Sequence, residues 1–118
     1  KVIAIESDID LYDQLIKKID NNKITNIDTL NSEHEIGYNK FQPYDVIFID
    51  SVTELIPDDI YMQLNNNHGR LVTIERIDSN LGKGIQVTKN NENYMKKIIF
   101  DSFSKSICGF KKNIEFVF

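Results

Sequence analysis

Two groups of side chains in this sequence have types and positions that could do chemistry. Glu6, Ser7 and Asp8 follow the short apolar run Val2-Ile3-Ala4-Ile5, and Asp50 and Ser51 follow the apolar run Val46-Ile47-Phe48-Ile49. Acids at the ends of two neighbouring strands could hold Mg²⁺ and let Asp50 accept a phosphoryl group. A structural reading competes for the first group. Ser7 followed three positions later by Asp10 has capping-box spacing, with Asp in place of Glu or Gln, so helix capping alone accounts for both. The remaining reactive types are isolated. His34 and His68 have no Cys or acid at metal-ligand spacing and read as loop residues. Cys108 has no His nearby in sequence and reads as a small apolar residue. Gly82 and Gly84 do not join a strand to a helix start, which argues against a phosphate cradle. Lys96-Lys97 and Lys111-Lys112 read as solvated faces.

The elements that must position these residues follow from periodicity. Val2 to Ile5 and Val46 to Ile49 are continuous apolar runs of the length of strands buried on both faces, the second ending at Asp50-Ser51. Tyr12, Leu15, Ile16 and Ile19 recur at helical spacing with charged residues between them, which predicts an amphipathic helix ended by Asn21-Asn22. Ile27 to Leu30 is a further strand. Pro57 with Asp58 and Asp59 suits the first turn of a short helix reaching about Leu64. Asn67-His68-Gly69 reads as a turn, and Leu71 to Ile74 as a strand. This alternation of strand and helix implies crossover units and a parallel sheet. After Ile77 the pattern changes. Gly82-Lys83-Gly84 reads as a flexible turn, Ile85 and Val87 alternate with polar residues, and Tyr94 to Phe100 returns as a hairpin partner with Asn90-Asn91 at the tip. Ile114 to Phe118 has the period-2 pattern of a last strand. Phe100, Phe103, Phe110, Phe116 and Phe118 read as an aromatic core cluster.

Composition narrows the function classes. At 118 residues and 41% hydrophobic, the chain can build one core and no second domain. A net charge of −4 and an isoelectric point near 5.1 argue against nucleic acid, whose phosphates need clustered Lys and Arg. One cysteine, no apolar run long enough for a bilayer and no secretory pattern point to a soluble cytoplasmic chain without membrane partners. The sequence starts at Lys1, already inside a strand pattern, which suggests a processed chain or a remnant.

Tyr44-Asp45-Val46-Ile47-Phe48-Ile49, then Pro57, Gln63-Leu64 and His68-Gly69-Arg70-Leu71-Val72, taken in order, resemble the protein-L-isoaspartate O-methyltransferase family. That family reads YD-apolar strand, P, QL and GGRLV. Asn26-Ile27 with Ser32-Glu33-His34 and Ile36-Gly37 is similar to its NV...GDG..G segment, and Phe100-Asp101, Gly109-Phe110 and Phe116-Val117-Phe118 to the FD...GF...FVF ending of some members. The resemblance implies the later part of a class I methyltransferase sheet: an α/β, Rossmann-like fold, mostly parallel, with a carboxyl-terminal antiparallel hairpin and last strand. Residues 1–118 would then be a single partial domain.

The resemblance also implies S-adenosylmethionine as cofactor and isoaspartyl residues of damaged proteins as the methyl acceptor. Glu6 matches the family acid that takes the ribose hydroxyls, and a carboxylate suits two adjacent O–H donors. Glu33 matches the acid beside the adenine, although Ser32 and His34 stand where the family has glycines. Asp50 and Ser51 stand at the cofactor lip, where the family has Gly-Ala. The family's first strand and glycine-rich loop would precede Val2. That strand lies between the strands beginning at Val2 and Val46, so two apolar edges are expected here, open to homodimerisation by strand pairing or exchange. These residues alone are expected to be inactive.

Two rivals stand beside this reading. One is a phosphoacceptor receiver domain using Asp50. It would place Thr or Ser after the next strand and Lys after the last, whereas Thr73 lies inside its strand and the hairpin has no place there. The other is a non-catalytic remnant or scaffold, which the changes at Ser32, His34 and Asp50 favour.

Overall fold

The computed structural model describes residues 1–102 and 109–110. Cys108, Lys111-Lys112, Phe103, Phe116, Phe118 and the expected strand 114–118 lie outside the described residues. The first two apolar runs form β1 (Val2–Glu6) and β2 (Ile27–Asn31), joined by helix α1 (Ile9–Asn21). They pair in parallel, with Val2 opposite Ile27 and Glu6 opposite Asn31. Tyr12, Leu15, Ile16 and Ile19 form the half-buried face of α1. The cap is Asp8 and not Ser7. Extended backbone at Asp8 lets its Oδ1 accept the N–H groups of Asp10 at 2.9 Å and Leu11 at 3.0 Å, satisfying two donors that the helix start leaves over.

Two 3₁₀ turns, His34–Ile36 and Asn39–Phe41, carry the chain to β3 (Val46–Thr53). Helix α2 (Asp58–Met62) links β3 to β4 (Asn67–Arg76), and β5 (Gly82–Asn90) and β6 (Asn93–Ser102) complete a four-stranded sheet. Its order is β3-β4-β5-β6, with β3 parallel to β4 and the rest antiparallel. The expected crossover units and hairpin are therefore present. The two strand edges expected where the family's first strand would lie are present as well: among the described residues the strands form two sheets, β1-β2 and β3-β4-β5-β6, and β1 and β3 are edge strands.

Several boundaries differ from the pattern. β3 runs on through Asp50-Ser51 to Thr53, because a bulge absorbs those residues. Phe48 pairs with Val72 and Val52 with Ile74, leaving residues 49–51 opposite Thr73. Two hydroxyls re-satisfy backbone groups at the shifted ladder: Thr73 Oγ1 donates to the Ser51 carbonyl at 3.1 Å and Thr53 Oγ1 to that of Ile74 at 3.2 Å. Pro57 lies just before α2, which ends at Met62. Asn67-His68-Gly69 belongs to an irregular start of β4, with His68 at φ 62°. Gly82-Lys83-Gly84 is the start of β5. At Gly84 a Cβ would lie 2.5 Å from the Phe100 ring, so glycine here makes room for an aromatic side chain across the hairpin.

The core lies between α2 and one face of the larger sheet: Ile49, Ile60, Leu64, Leu71, Ile85 and Val87, closed by Phe110. Phe100, expected in an aromatic core, is 51% exposed. Besides Thr53 and Thr73, the polar side chains of Lys89 and Gln63 are buried, and both are hydrogen-bonded. Lys89 Nζ donates to the carbonyls of Met62 at 3.4 Å and Leu64 at 3.2 Å, where α2 leaves acceptors over. Gln63 reaches the segment after the first 3₁₀ turn. Its Oε1 accepts from the Tyr38 N–H at 3.0 Å and its Nε2 donates to the Ile36 carbonyl at 3.0 Å. Gly37, at φ 65°, permits this, since a Cβ there would stand 2.7 Å from the Gln63 amide.

Gln63→Ala would leave the Tyr38 N–H and Ile36 carbonyl unpaired. It is expected to cost about 1–3 kcal/mol, seen as a lower urea midpoint with an unchanged m value. Tyr61 gives a second test. Its ring packs edge-on against Tyr94 at 5.6 Å, and burial first, then Glu75, Asp58 and Tyr94, raise its phenol above the ordinary 10.0. Folding therefore favours the neutral phenol. That contribution is complete below the ordinary ionisation range and is lost as pH rises through the raised value. Tyr61→Phe should make stability fall less steeply on the alkaline side, measured by urea titrations above about pH 9.

Candidate functional site

The carboxyl end of β1 is linked through His34 and Phe110 to the residues just after β3. Glu6 ends β1. Its Oε1 accepts from the Asp8 N–H at 2.9 Å and lies 3.8 Å from His34 Nε2; neither contact involves Oε2. The Glu6 carboxylate is thus held from one side and presents its other oxygen as an acceptor. The segment after β2 is laced to the same strand end. Asn31 Nδ2 donates to the carbonyls of Glu6 at 2.9 Å and Ser7 at 3.2 Å, and the Ser32 N–H donates to the Glu6 carbonyl at 3.3 Å. Asn31 can do this because parallel pairing places it opposite Glu6.

Glu33 follows immediately, exposed, in extended backbone before the 3₁₀ turn, with no capping hydrogen bond from its side chain. His34 comes next and turns its ring onto Phe110, centroid to centroid 6.4 Å with an interplanar angle of 23°. Phe110 is anchored to β3. Its carbonyl accepts from the N–H groups of Glu54 at 2.6 Å and Leu55 at 3.0 Å, and its ring is buried in the core. Gly109 takes φ 96°, and a Cβ on it would strike the Glu35 carboxylate.

The structure therefore brings Glu6 and the segment carrying Glu33 together. It places Asp50 and Ser51 in the β3 bulge, with Asp50 exposed and the Ser51 carbonyl bonded to Thr73 of β4. No contact described above joins that pair to Glu6. Two residues at this place carried no functional signal in the sequence. His34 was read as a loop residue and Phe110 as one of several core aromatics. Their proximity is a product of tertiary folding, and no spacing rule spans 76 positions of chain (110 minus 34).

The profile of the protein-L-isoaspartate(D-aspartate) O-methyltransferase family matches residues 1–103. The chain belongs to this family. Among solved structures it is similar to a protein-L-isoaspartate O-methyltransferase, with a TM-score of 0.81 at 16% identity over 92% of this chain. The match spans 34% of that protein's length. No curated protein matches the chain. At this identity the structural likeness speaks for the fold, an α/β methyltransferase arrangement, and it agrees with the parallel units and antiparallel hairpin seen here. A receiver domain is not favoured, since the family match runs through the β5-β6 hairpin. Gly109 and Phe110 lie past the end of the family match.

A methyl at Gly109 would meet both a left-handed backbone and the Glu35 carboxylate. Gly109→Ala is expected to destabilise by about 1–3 kcal/mol, as a shift in the urea midpoint, because Phe110 must leave its place for the chain to relax.

Proposed function

We propose that the protein of which these residues are part transfers a methyl group from S-adenosylmethionine to the carboxylate of L-isoaspartyl residues in damaged proteins. The 118 residues would be the carboxyl-terminal portion of its Rossmann-like domain and inactive alone. Family membership supports the reaction class. The observation that carries the cofactor reading is the state of Glu6. A ribose diol needs an acceptor at a strand's carboxyl end, and Glu6 offers an oxygen there on a side chain 25% exposed. Glu33, one residue from Ser32 and exposed, would face the adenine, and Asp50 and Ser51 would form the lip of the cleft. The bound cofactor supplies a sulfonium methyl for in-line attack by the acceptor carboxylate, a step that depends on positioning more than on a general base. The residues here would bind and orient the cofactor.

The edges of β1 and β3 would take a further strand, from the rest of the protein or from a second copy in a homodimer. No helix among the described residues is long and apolar enough to cross a membrane. A cytoplasmic location is part of the proposal. The competing reading, a non-catalytic methyltransferase-like scaffold, is not favoured by the family match.

Calorimetric titration with S-adenosylhomocysteine separates these. The longer protein should bind it, and Glu6→Gln should weaken binding about tenfold or more, the scale of hydrogen bonds to a charged group. Binding by the longer protein but not by these 118 residues would assign the activity to the whole. Failure of both would leave the scaffold reading.

A further inference from the structure

We infer that His34 is a positioning residue for Glu6, held there by Phe110, so that the carboxylate offered to the ribose is oriented by a part of the chain beyond the family match. The cofactor role of Glu6 rests on the proposal above; the contact itself does not.

Glu6 is the last residue of β1, and its side chain would otherwise swing freely about the strand end. Two groups hold it: the Asp8 N–H and the His34 imidazole, both on Oε1. The first belongs to the start of α1. The second comes from the segment after β2, on a side chain only 15% exposed. His34 opens a single 3₁₀ turn, closed by the Gly37 N–H on the His34 carbonyl at 3.2 Å. What backs the imidazole is the Phe110 ring, nearly parallel to it. Phe110 is in turn fixed by two main-chain hydrogen bonds to the end of β3 and by burial in the core. The order of support runs from core to Phe110, to His34, to Glu6. At 3.8 Å the His34 nitrogen is too far to use up a lone pair of Oε1, so it steadies the carboxylate without occupying it.

The test measures exchange of the Asp8 amide, which reports the Glu6 contact directly, by NMR on this chain. S-adenosylhomocysteine affinity is measured in the longer protein. His34→Ala should speed Asp8 exchange several-fold while β4 and β5 amides keep their protection, and should raise the dissociation constant up to about fivefold, the range of a partly exposed pair. His34→Gln, which keeps a polar side chain of similar reach, should recover most of both. Phe110→Leu, which keeps apolar volume in the core but removes the ring, should act in the same direction as His34→Ala. Unchanged Asp8 exchange in both His34→Ala and Phe110→Leu overturns the inference. Altered exchange without any ligand binding would instead sink the cofactor reading and leave the positioning of Glu6 intact.

Discussion

Two parallel strand pairs that share no hydrogen-bond ladder are the constraint on which the rest of this structure depends. β1 pairs with β2 and β3 with β4, and the described residues bridge the two sheets through side chains and loop backbone. A shared ladder would fix distance and register by repetition. Here the same job falls to a few contacts: Gln63 gripping both Ile36 and Tyr38, the edge of Lys1 over the Phe41 ring at 5.7 Å, and the stack of His34 on Phe110. All three touch the segment that runs from β2 to β3. That segment carries Glu33, the residue proposed to face the adenine, so the parts that hold the sheets together and the parts proposed to touch the cofactor are the same few turns.

Burial is unequal on the two sides of this line. No residue before Ile49 is fully buried, while the α2 face of the larger sheet carries a continuous core. Glu6 sits on the thinly packed side. Segments with few buried apolar contacts open at lower free energy than core strands. The strand end that offers the carboxylate is therefore the part of the molecule most in need of an external brace. Its supports come from the well-packed side: Phe110 is anchored at the end of β3, and Gln63 at the end of α2 is buried against the core cluster.

Much of this was legible in the sequence, for reasons that can be stated residue by residue. The runs Val2 to Ile5, Val46 to Ile49 and Leu71 to Ile74 gave their strands away because a doubly covered strand needs unbroken apolar residues. Ile85 and Val87 marked β5 because a half-covered strand alternates. Tyr44-Asp45, Gln63-Leu64 and Gly69-Arg70-Leu71-Val72 gave the family because their order is rarely met by chance. The bulge at residues 49–51 was not legible, since register belongs to a pair of strands and not to either one. Asp8 and Ser7 are both good caps one position apart, and the choice depends on where β1 releases the backbone. Phe100 and Phe110 are the same residue type, yet the hairpin leaves one half exposed and the tail buries the other. At the site, Glu6 was legible as an acid at a strand end; that His34 would turn toward it was not.

The exposed apolar residues bear on what completes the fold. Val2 is 49% exposed on β1, and Val46 and Phe48 are 49% and 66% exposed on β3. These are interior types for strands covered on both faces, and they flank the line where the ladder is interrupted. Long apolar strand edges invite pairing with any available strand, which is why folded proteins cover, charge or twist them. β3 has no charge among Val46, Ile47 and Phe48 to discourage this; its bulge begins only after them. A sequence selected to stand alone would be expected to blunt that stretch. Its persistence, beside a structural match that spans 34% of a solved relative's length, supports the proposed strand between β1 and β3, whichever chain provides it.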